Sequence, residues 1–224
     1  MFQSVLRRLR ESQTAELEGT EAADAGFTLI ELMVVLLIIA ILLAIAIPTF
    51  LGVTSSANDR AAQSNLTNGL TEATAQYQAS GQSYSGISTS LNSSAPEFSW
   101  ASGTGTGTAT VSTAGCATTS TNCINVASVD VATSGDQQGV ILATMAKTGT
   151  CWWVAQLQAT PATVATTGFD RAASGTGFQT GATQVGTYYA KQQSSSQANC
   201  NAQYPETKTG GFTWGSSFSA AGSN

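Results

Sequence analysis

The pattern of apolar and polar residues places a long helix near the N-terminus of the chain. Residues 27–51 are almost entirely apolar, and Glu31 is the only charged residue among them. A helix over this stretch would be about 37 Å long at 1.5 Å per residue, which is enough to cross a hydrocarbon core of about 30 Å. The pattern therefore predicts a membrane-spanning helix over residues 27–51.

Beyond Pro48 the apolar residues continue on one side only. They recur at spacings of four and three, at Ala62, Leu66, Leu70, Ala73 and Tyr77. This spacing is helical, so residues 52–79 are predicted to continue the same helix, from about Phe27 to Ala79, with a bend at Pro48. A single apolar stripe is typical of a helix that packs on a sheet.

Strand patterns appear after residue 123. Short apolar runs cover residues 124–131, 139–146 and 151–157, and residues 147–150 are predicted to form a hairpin loop. In the third run Cys151, Trp153, Ala155 and Leu157 share one face, which we expect to pack against the helix, whereas Trp152 points the opposite way. Aromatic residues in the tail predict one or two further strands. The expected fold class is α+β, a long helix packed on a small antiparallel sheet.

Composition identifies a connecting loop and excludes some classes of catalysis and binding. Residues 80–122 are rich in Ser, Thr and Gly, which predicts a connecting loop with at most one strand. The 224 residues include no histidine, and the net charge is -5. Histidine-dependent catalysis is thereby excluded, and a basic surface for nucleic acid is not expected. We predict no enzyme activity, no cofactor and no metal site.

Basic residues near the N-terminus set the expected orientation in the membrane. Arg7, Arg8 and Arg10 hold all the basic charge of residues 1–26. The positive-inside rule places this end in the cytoplasm, so the C-terminal part is translocated. An Ala-x-Ala sequence marks the cleavage site of a secretory signal peptide when it follows the apolar region. The one at Ala44 and Ala46 lies inside the apolar run, so we expect the apolar helix to stay attached to the downstream chain.

The residues around the start of the apolar run carry a family resemblance. The sequence Gly26-Phe27-Thr28-Leu29-Ile30-Glu31, followed by a long aliphatic run that contains Pro48, resembles the N-terminal signature of type IV pilins and pseudopilins. The resemblance implies that a prepilin peptidase removes residues 1–26 by cutting after Gly26, and that the new N-terminal residue, Phe27, is methylated. It also implies an assembly role for Glu31 and a helix kink at Pro48. Ala40 stands where the family often has a glycine.

Glu31 has a physical reason to take part in assembly. A carboxylate in or near hydrocarbon is costly and usually marks a partner. The amine created by the cut, on a neighbouring copy, would provide that partner and set the axial register of the subunits. The alternative is a helix-start glutamate in the headgroup region of a single-pass anchor, and Thr28 is likewise interpreted as a helix-start residue.

All four cysteines lie in the part predicted to be translocated, where disulfides persist. Cys116, Cys123, Cys151 and Cys200 allow three connectivities. We favour Cys116 with Cys123 and Cys151 with Cys200, because the second pair would resemble the disulfide-bounded C-terminal loop of type IV pilins. A zinc site of four thiolates is the less favoured alternative, since the sequence has no CxxC pair.

The predicted organisation is a cytoplasmic leader (1–26), a transmembrane and assembly helix (27–51), its amphipathic half (52–79), a connecting loop (80–122) and a disulfide-stapled β-rich region (123–224). The predicted function is that of a structural subunit, inserted in the cytoplasmic membrane and polymerised into an extracellular pilus for adhesion, motility or DNA uptake. Its expected partners are further copies of itself, the prepilin peptidase, the membrane, and the assembly platform and ATPase. The alternatives are a minor pilin or a type II secretion pseudopilin in a short periplasmic filament, and a membrane-anchored binding protein or enzyme.

Overall fold

The computed structural model describes residues 27–102, 122–132, 135–161, 179–193, 200–207 and 212–224. The chain divides into two compact units between Leu51 and Gly52. The helices are α1 (Leu29–Ala79), α2 (Ile87–Ser94) and α3 (Tyr204–Thr207). The strands are β1 (Ser99–Ser102), β2 (Cys123–Val129), β3 (Gly139–Met145), β4 (Thr150–Leu157), β5 (Gln179–Thr180), β6 (Gly186–Gln193), β7 (Phe212–Thr213) and β8 (Gly222–Ser223).

Helix α1 is continuous through Pro48, as predicted. Proline has no backbone N–H and cannot donate to the carbonyl of Ala44, so this turn lacks one helical hydrogen bond. The neighbouring Thr49 hydroxyl donates back to the carbonyls of Ile45 and Ala46 at 3.1 and 2.9 Å. Residues of α1 up to Leu51 belong to the first unit, and those from Gly52 belong to the second.

In the second unit one face of α1 packs on the sheet. The buried residues of the helix are Ala62, Leu66, Gly69, Ala73 and Tyr77. Four of these match the predicted stripe. Gly69 is buried although it was not predicted to be, and Leu70 is only partly buried. A Cβ atom on Gly69 would lie 2.8 Å from Cδ1 of Ile124 and 3.1 Å from Cδ2 of Leu142. The missing side chain therefore lets the helix approach the sheet closely.

The main sheet has six strands in the order β1-β2-β3-β4-β6-β8. The inner strands β2, β3, β4 and β6 pair antiparallel, and the outer strands β1 and β8 pair parallel to their neighbours. The predicted hairpin loop joins β3 to β4, with Gly149 in a left-handed conformation at φ 84°. The α+β class is thus confirmed, with parallel pairs added at both edges. A separate two-stranded parallel sheet pairs β5 with β7.

Apolar side chains form a core on each face of the main sheet. The inner core lies between α1 and the sheet and includes Leu66, Ile124, Leu142 and Val154. The outer core lies on the opposite face, where segments near Cys200 and Phe212 cover the sheet. The outer aromatic side chains pack closely, since the Trp153 ring is 5.2 Å from that of Phe212 and 6.0 Å from that of Tyr204.

The predicted face of β4 is wrong. Cys151, Trp153, Ala155 and Leu157 do share one face, but this face belongs to the outer core and points away from α1. Trp152 belongs to the inner core instead, where its ring meets that of Phe218 at 5.8 Å. Alternation separates the two faces of a strand, but it does not identify the face that meets the helix when both are apolar.

Residues 80–102 contain more regular structure than the predicted loop. Helix α2 was not predicted, because only Ile87 and Leu91 face the core from an otherwise Ser-rich segment. The helix starts after Gly86, whose φ of 68° is a left-handed conformation that favours glycine. Strand β1 follows and pairs with β2, which agrees with the single strand expected in this region.

Candidate processing and assembly site

The described part of the chain begins at the predicted processing site. Phe27 and Thr28 precede the first helical residue, Leu29, and the Phe27 side chain is 88% exposed. Gly26 and the leader arginines lie outside the described residues. The side chain of the expected new N-terminal residue is therefore largely accessible.

Thr28 and Glu31 close the first turn of α1 with three hydrogen bonds. The Thr28 amide and hydroxyl both donate to Oε2 of Glu31, at 2.9 and 2.8 Å. In return the Glu31 amide donates to the Thr28 hydroxyl oxygen at 3.2 Å. This reciprocal arrangement is a capping box, which satisfies amides that the first turn of a helix leaves without partners. It also places a carboxylate at the positive end of the helix dipole.

The two carboxylate oxygens of Glu31 differ in their surroundings. Both hydrogen bonds from Thr28 go to Oε2. Within the described ranges, Oε1 accepts no hydrogen bond and Glu31 forms no ion pair. Glu31 is itself exposed, next to the exposed apolar side chains of Ile30 and Leu32. A positive group from another molecule could therefore reach Oε1 without breaking the capping box.

After its first turn, α1 is an apolar surface up to Leu51. None of its large apolar side chains from Phe27 to Leu51 is less than 45% exposed. Up to Leu51 the helix exposes these side chains on every side, and α1 is long and apolar enough to cross a membrane. A helix that is apolar all round requires surroundings that exclude water, in a bilayer or among other helices. Pro48 lies inside this surface.

The cysteines lie in the second unit. Cys151 in β4 is bonded to Cys200, the pair favoured from the sequence, and their Cα atoms are 5.5 Å apart. Cys123 at the start of β2 is also disulfide-bonded, but its predicted partner Cys116 lies outside the described residues. Within the described ranges, no group of three or more His, Cys, Asp or Glu residues is arranged to hold a metal ion.

Sequence reasoning located Phe27, Glu31 and Pro48 at the start and in the interior of one helix, where the structure has them. It missed that Thr28 holds Glu31, because Thr28 was interpreted only as a helix-start residue. The signal was present, since threonine followed three residues later by glutamate before an apolar run is the sequence pattern of a capping box.

Comparison with known proteins identifies the signal in this segment. A family model described as the prokaryotic N-terminal methylation motif matches residues 22–47. The chain therefore carries the class III signal of type IV pilins and pseudopilins, and the match includes Gly26, Phe27 and Glu31. No curated protein and no solved structure matches the chain. The signal and the apolar helix together fit a membrane-anchored precursor of a structural protein.

Proposed function

We propose that this chain is the precursor of a type IV pilus subunit, which polymerises through α1 into an extracellular filament for adhesion, motility or DNA uptake. The observation that carries the proposal is the methylation motif at residues 22–47, which overlaps the start of a helix whose apolar side chains up to Leu51 are exposed all round. The prepilin peptidase cuts after Gly26 and Phe27 is methylated. Residues 1–26 are the cytoplasmic leader.

In this proposal, the exposed apolar helix lies in two different environments, one before assembly and one after it. Before assembly, residues 27–51 span the cytoplasmic membrane, whose hydrocarbon core matches their length. After assembly, the same residues are surrounded by the helices of other copies, which also exclude water. One all-round apolar surface serves both states because neither surrounding offers hydrogen-bonding partners.

Glu31 specifies how the copies align. In the filament its carboxylate pairs with the N-terminal amine of Phe27 on a neighbouring copy, and the pair sets the axial register. A buried ion pair adds little net stability, but a buried charge without its partner costs about 3–5 kcal/mol. Misaligned subunits are thereby disfavoured. The assembly platform and its ATPase supply the work of extracting the subunit from the membrane.

Mass spectrometry of the mature N-terminus tests the proposal. Filaments sheared from cells should contain a peptide that begins at Phe27 and carries one additional methyl group. A chain that keeps Met1 and stays in the membrane fraction would contradict it. The abundance of the processed chain in the sheared fraction separates a major pilus subunit from a minor pilin or a pseudopilin of a short periplasmic filament.

A further inference from the structure

We propose that Thr28 is a positioning residue for assembly: it holds Glu31 by Oε2, so that Oε1 faces the amine of a neighbouring copy. This inference rests on the proposed function and adds a residue to it. Its basis is the set of three hydrogen bonds between Thr28 and Glu31, in which both donors from Thr28 go to the same carboxylate oxygen.

The three bonds reduce the freedom of the Glu31 side chain before any partner arrives. A glutamate side chain has several rotatable bonds, and ordering it at the moment of binding costs conformational entropy. Thr28 fixes one oxygen with two donors at 2.9 and 2.8 Å, so the direction of the second oxygen is set within the subunit. The neighbouring amine then meets a carboxylate that is already oriented.

The same bonds also serve the subunit that is still alone in the membrane. A carboxylate at the edge of the hydrocarbon core is costly when nothing satisfies it. Thr28 provides two hydrogen bonds from the same chain, so each subunit carries part of the compensation that Glu31 needs. Thr28 therefore stabilises the carboxylate of Glu31 both before and after the subunits meet.

The position of the proposed cut is compatible with this role. The capping box uses the amide and hydroxyl of Thr28 and the amide and carboxylate of Glu31, and it uses no atom of Phe27. Cutting between Gly26 and Phe27 leaves every bond of the box in the mature chain. It also creates the new amine one residue before Thr28, where the box does not consume it.

A purely structural role for Thr28 makes a different prediction. If Thr28 only caps the helix, its loss should matter equally whether residue 31 is charged or not. Glutamine can replace glutamate at this position of a capping box, so Glu31→Gln keeps the box and removes the charge. Introducing Thr28→Ala into the wild-type chain and into the Glu31→Gln variant therefore separates positioning from capping.

The experiment uses full-length chains that are co-expressed with the wild-type chain and its assembly machinery. The variants are Thr28→Ala, Thr28→Ser, Glu31→Gln and the double variant Thr28→Ala/Glu31→Gln. Each is quantified by fragment spectra of its N-terminal peptide, in sheared filaments and in the cleaved membrane pool. The ratio of the two amounts measures incorporation and cancels any effect on cleavage. Co-expression ensures that filaments are present for every variant.

Thr28→Ala should enter filaments about fivefold less than wild type, as expected for the loss of one net hydrogen bond of about 1 kcal/mol from the Thr28 hydroxyl to the Glu31 carboxylate, and Thr28→Ser should restore most of this loss. When it is added to Glu31→Gln, the alanine change should lower incorporation by less than about twofold, because the charge it positions is absent. Equal losses with and without Glu31→Gln, or full incorporation of Thr28→Ala, would overturn the inference. Absence of wild-type filaments would instead overturn the proposed function.

Discussion

The helix up to Leu51 and the unit that begins at Gly52 differ in where their apolar side chains lie. From Phe27 to Leu51 no large apolar side chain is less than 45% exposed, whereas Leu66, Trp153 and Val154 in the second unit are fully buried. The second unit buries apolar side chains on both faces of its sheet. Helix α1 covers one face, and the segments near Cys200 and Phe212 cover the other. The described residues of the first unit, from Phe27 to Leu51, leave their apolar side chains exposed, as is typical of a helix that meets a membrane or other helices.

Polar groups follow the same division. In the second unit, several buried polar atoms are paired across the fold: Asn125 accepts a hydrogen bond from the Ala202 amide at 2.7 Å, and the Trp153 indole donates to the Asn201 carbonyl at 2.8 Å. In the described part of the first unit, the hydrogen bonds to the carboxylate of Glu31 all go to Oε2. Among the described residues, polar groups of the second unit thus pair with one another, whereas one carboxylate oxygen of Glu31 is open to a partner from another molecule.

Replacing Glu31 with valine should have the largest effect, because it changes how the first unit meets other copies. The protein should still be cleaved and inserted in the membrane, since valine is apolar. Filament yield should fall about a hundredfold or more, because a partner amine left without its carboxylate costs about 3–5 kcal/mol. Immunoblots of sheared and membrane fractions measure both quantities. Met33→Val, on the same exposed helix, is the control and should assemble normally; a normal yield from Glu31→Val would refute the pairing.

Removing the Cys151–Cys200 bond should destabilise only the second unit. In the chain-entropy model a loop of this size contributes about 4 kcal/mol, so Cys151→Ala/Cys200→Ala should lower the free energy of unfolding by about that amount. Tryptophan fluorescence during denaturant unfolding measures it in the full chain, because all four tryptophans lie beyond Gly52.

The matched control for this change is Cys116→Ala/Cys123→Ala, which removes the other predicted pair. That pair would close a much shorter loop, so its loss should cost less, about 2.5 kcal/mol in the same model. Membrane insertion and cleavage should be unchanged in both variants. Equal stability of the Cys151→Ala/Cys200→Ala variant and the wild type would show that the bond does not restrain the unfolded chain.

The sequence predicted the first unit better than the second, for a physical reason. An uninterrupted apolar helix needs no knowledge of long-range contacts, so the helix over residues 27–51 and the position of Glu31 near its start could be predicted from local pattern alone. The strands β2, β3 and β4 were also placed correctly, because their apolar runs are short and bounded by turn residues. These features are local in the chain.

Features that depend on distant contacts were missed or misassigned. Trp152 and Trp153 are both buried, so alternation could not tell which of them faces α1. The parallel pairing of β8 with β6 joins residues more than thirty positions apart, and its two-residue length gives no periodic signal. Gly69 was not predicted to face the core, because it has no apolar side chain to mark the helical spacing and its role is set by Ile124 and Leu142 across the core.

Replacing Gly69 and Gly52 with alanine compares the same substitution at a buried position and at an exposed position of α1. At Gly69 the new Cβ would lie 2.8 Å from Ile124, so neighbouring side chains must move. Overpacking costs about 1–3 kcal/mol, which exceeds the gain of about 1 kcal/mol from replacing a helical glycine. At Gly52 no atom of the described residues lies within 4 Å of the added Cβ, so only the gain is expected.

The measured quantity is again the free energy of unfolding from tryptophan fluorescence. Gly69→Ala should be less stable than wild type by about 1 kcal/mol, and Gly52→Ala should be equally stable or slightly more stable. The opposite order would mean that the contact between α1 and the sheet is looser than its geometry indicates. Unchanged filament yield from Gly52→Ala would further show that the junction between the units tolerates a side chain.

The smallest expected effect concerns the pH dependence of the second unit. Burial raises the pKa of the Tyr84 hydroxyl, although the Gln158 side chain donates a hydrogen bond to it at 3.2 Å and favours the charged form. Because the folded-state pKa lies above the usual value of about 10, the neutral hydroxyl contributes stability that is fully present below pH 10 and is lost as the pH rises through the folded-state pKa. Tyr84→Phe removes this titration, so its free energy of unfolding should fall less steeply above about pH 10 than that of the wild type. Denaturant unfolding at pH 7 provides the baseline for each protein. If the free energy of unfolding fell equally steeply for the two proteins above pH 10, Tyr84 would ionise as readily in the folded as in the unfolded chain.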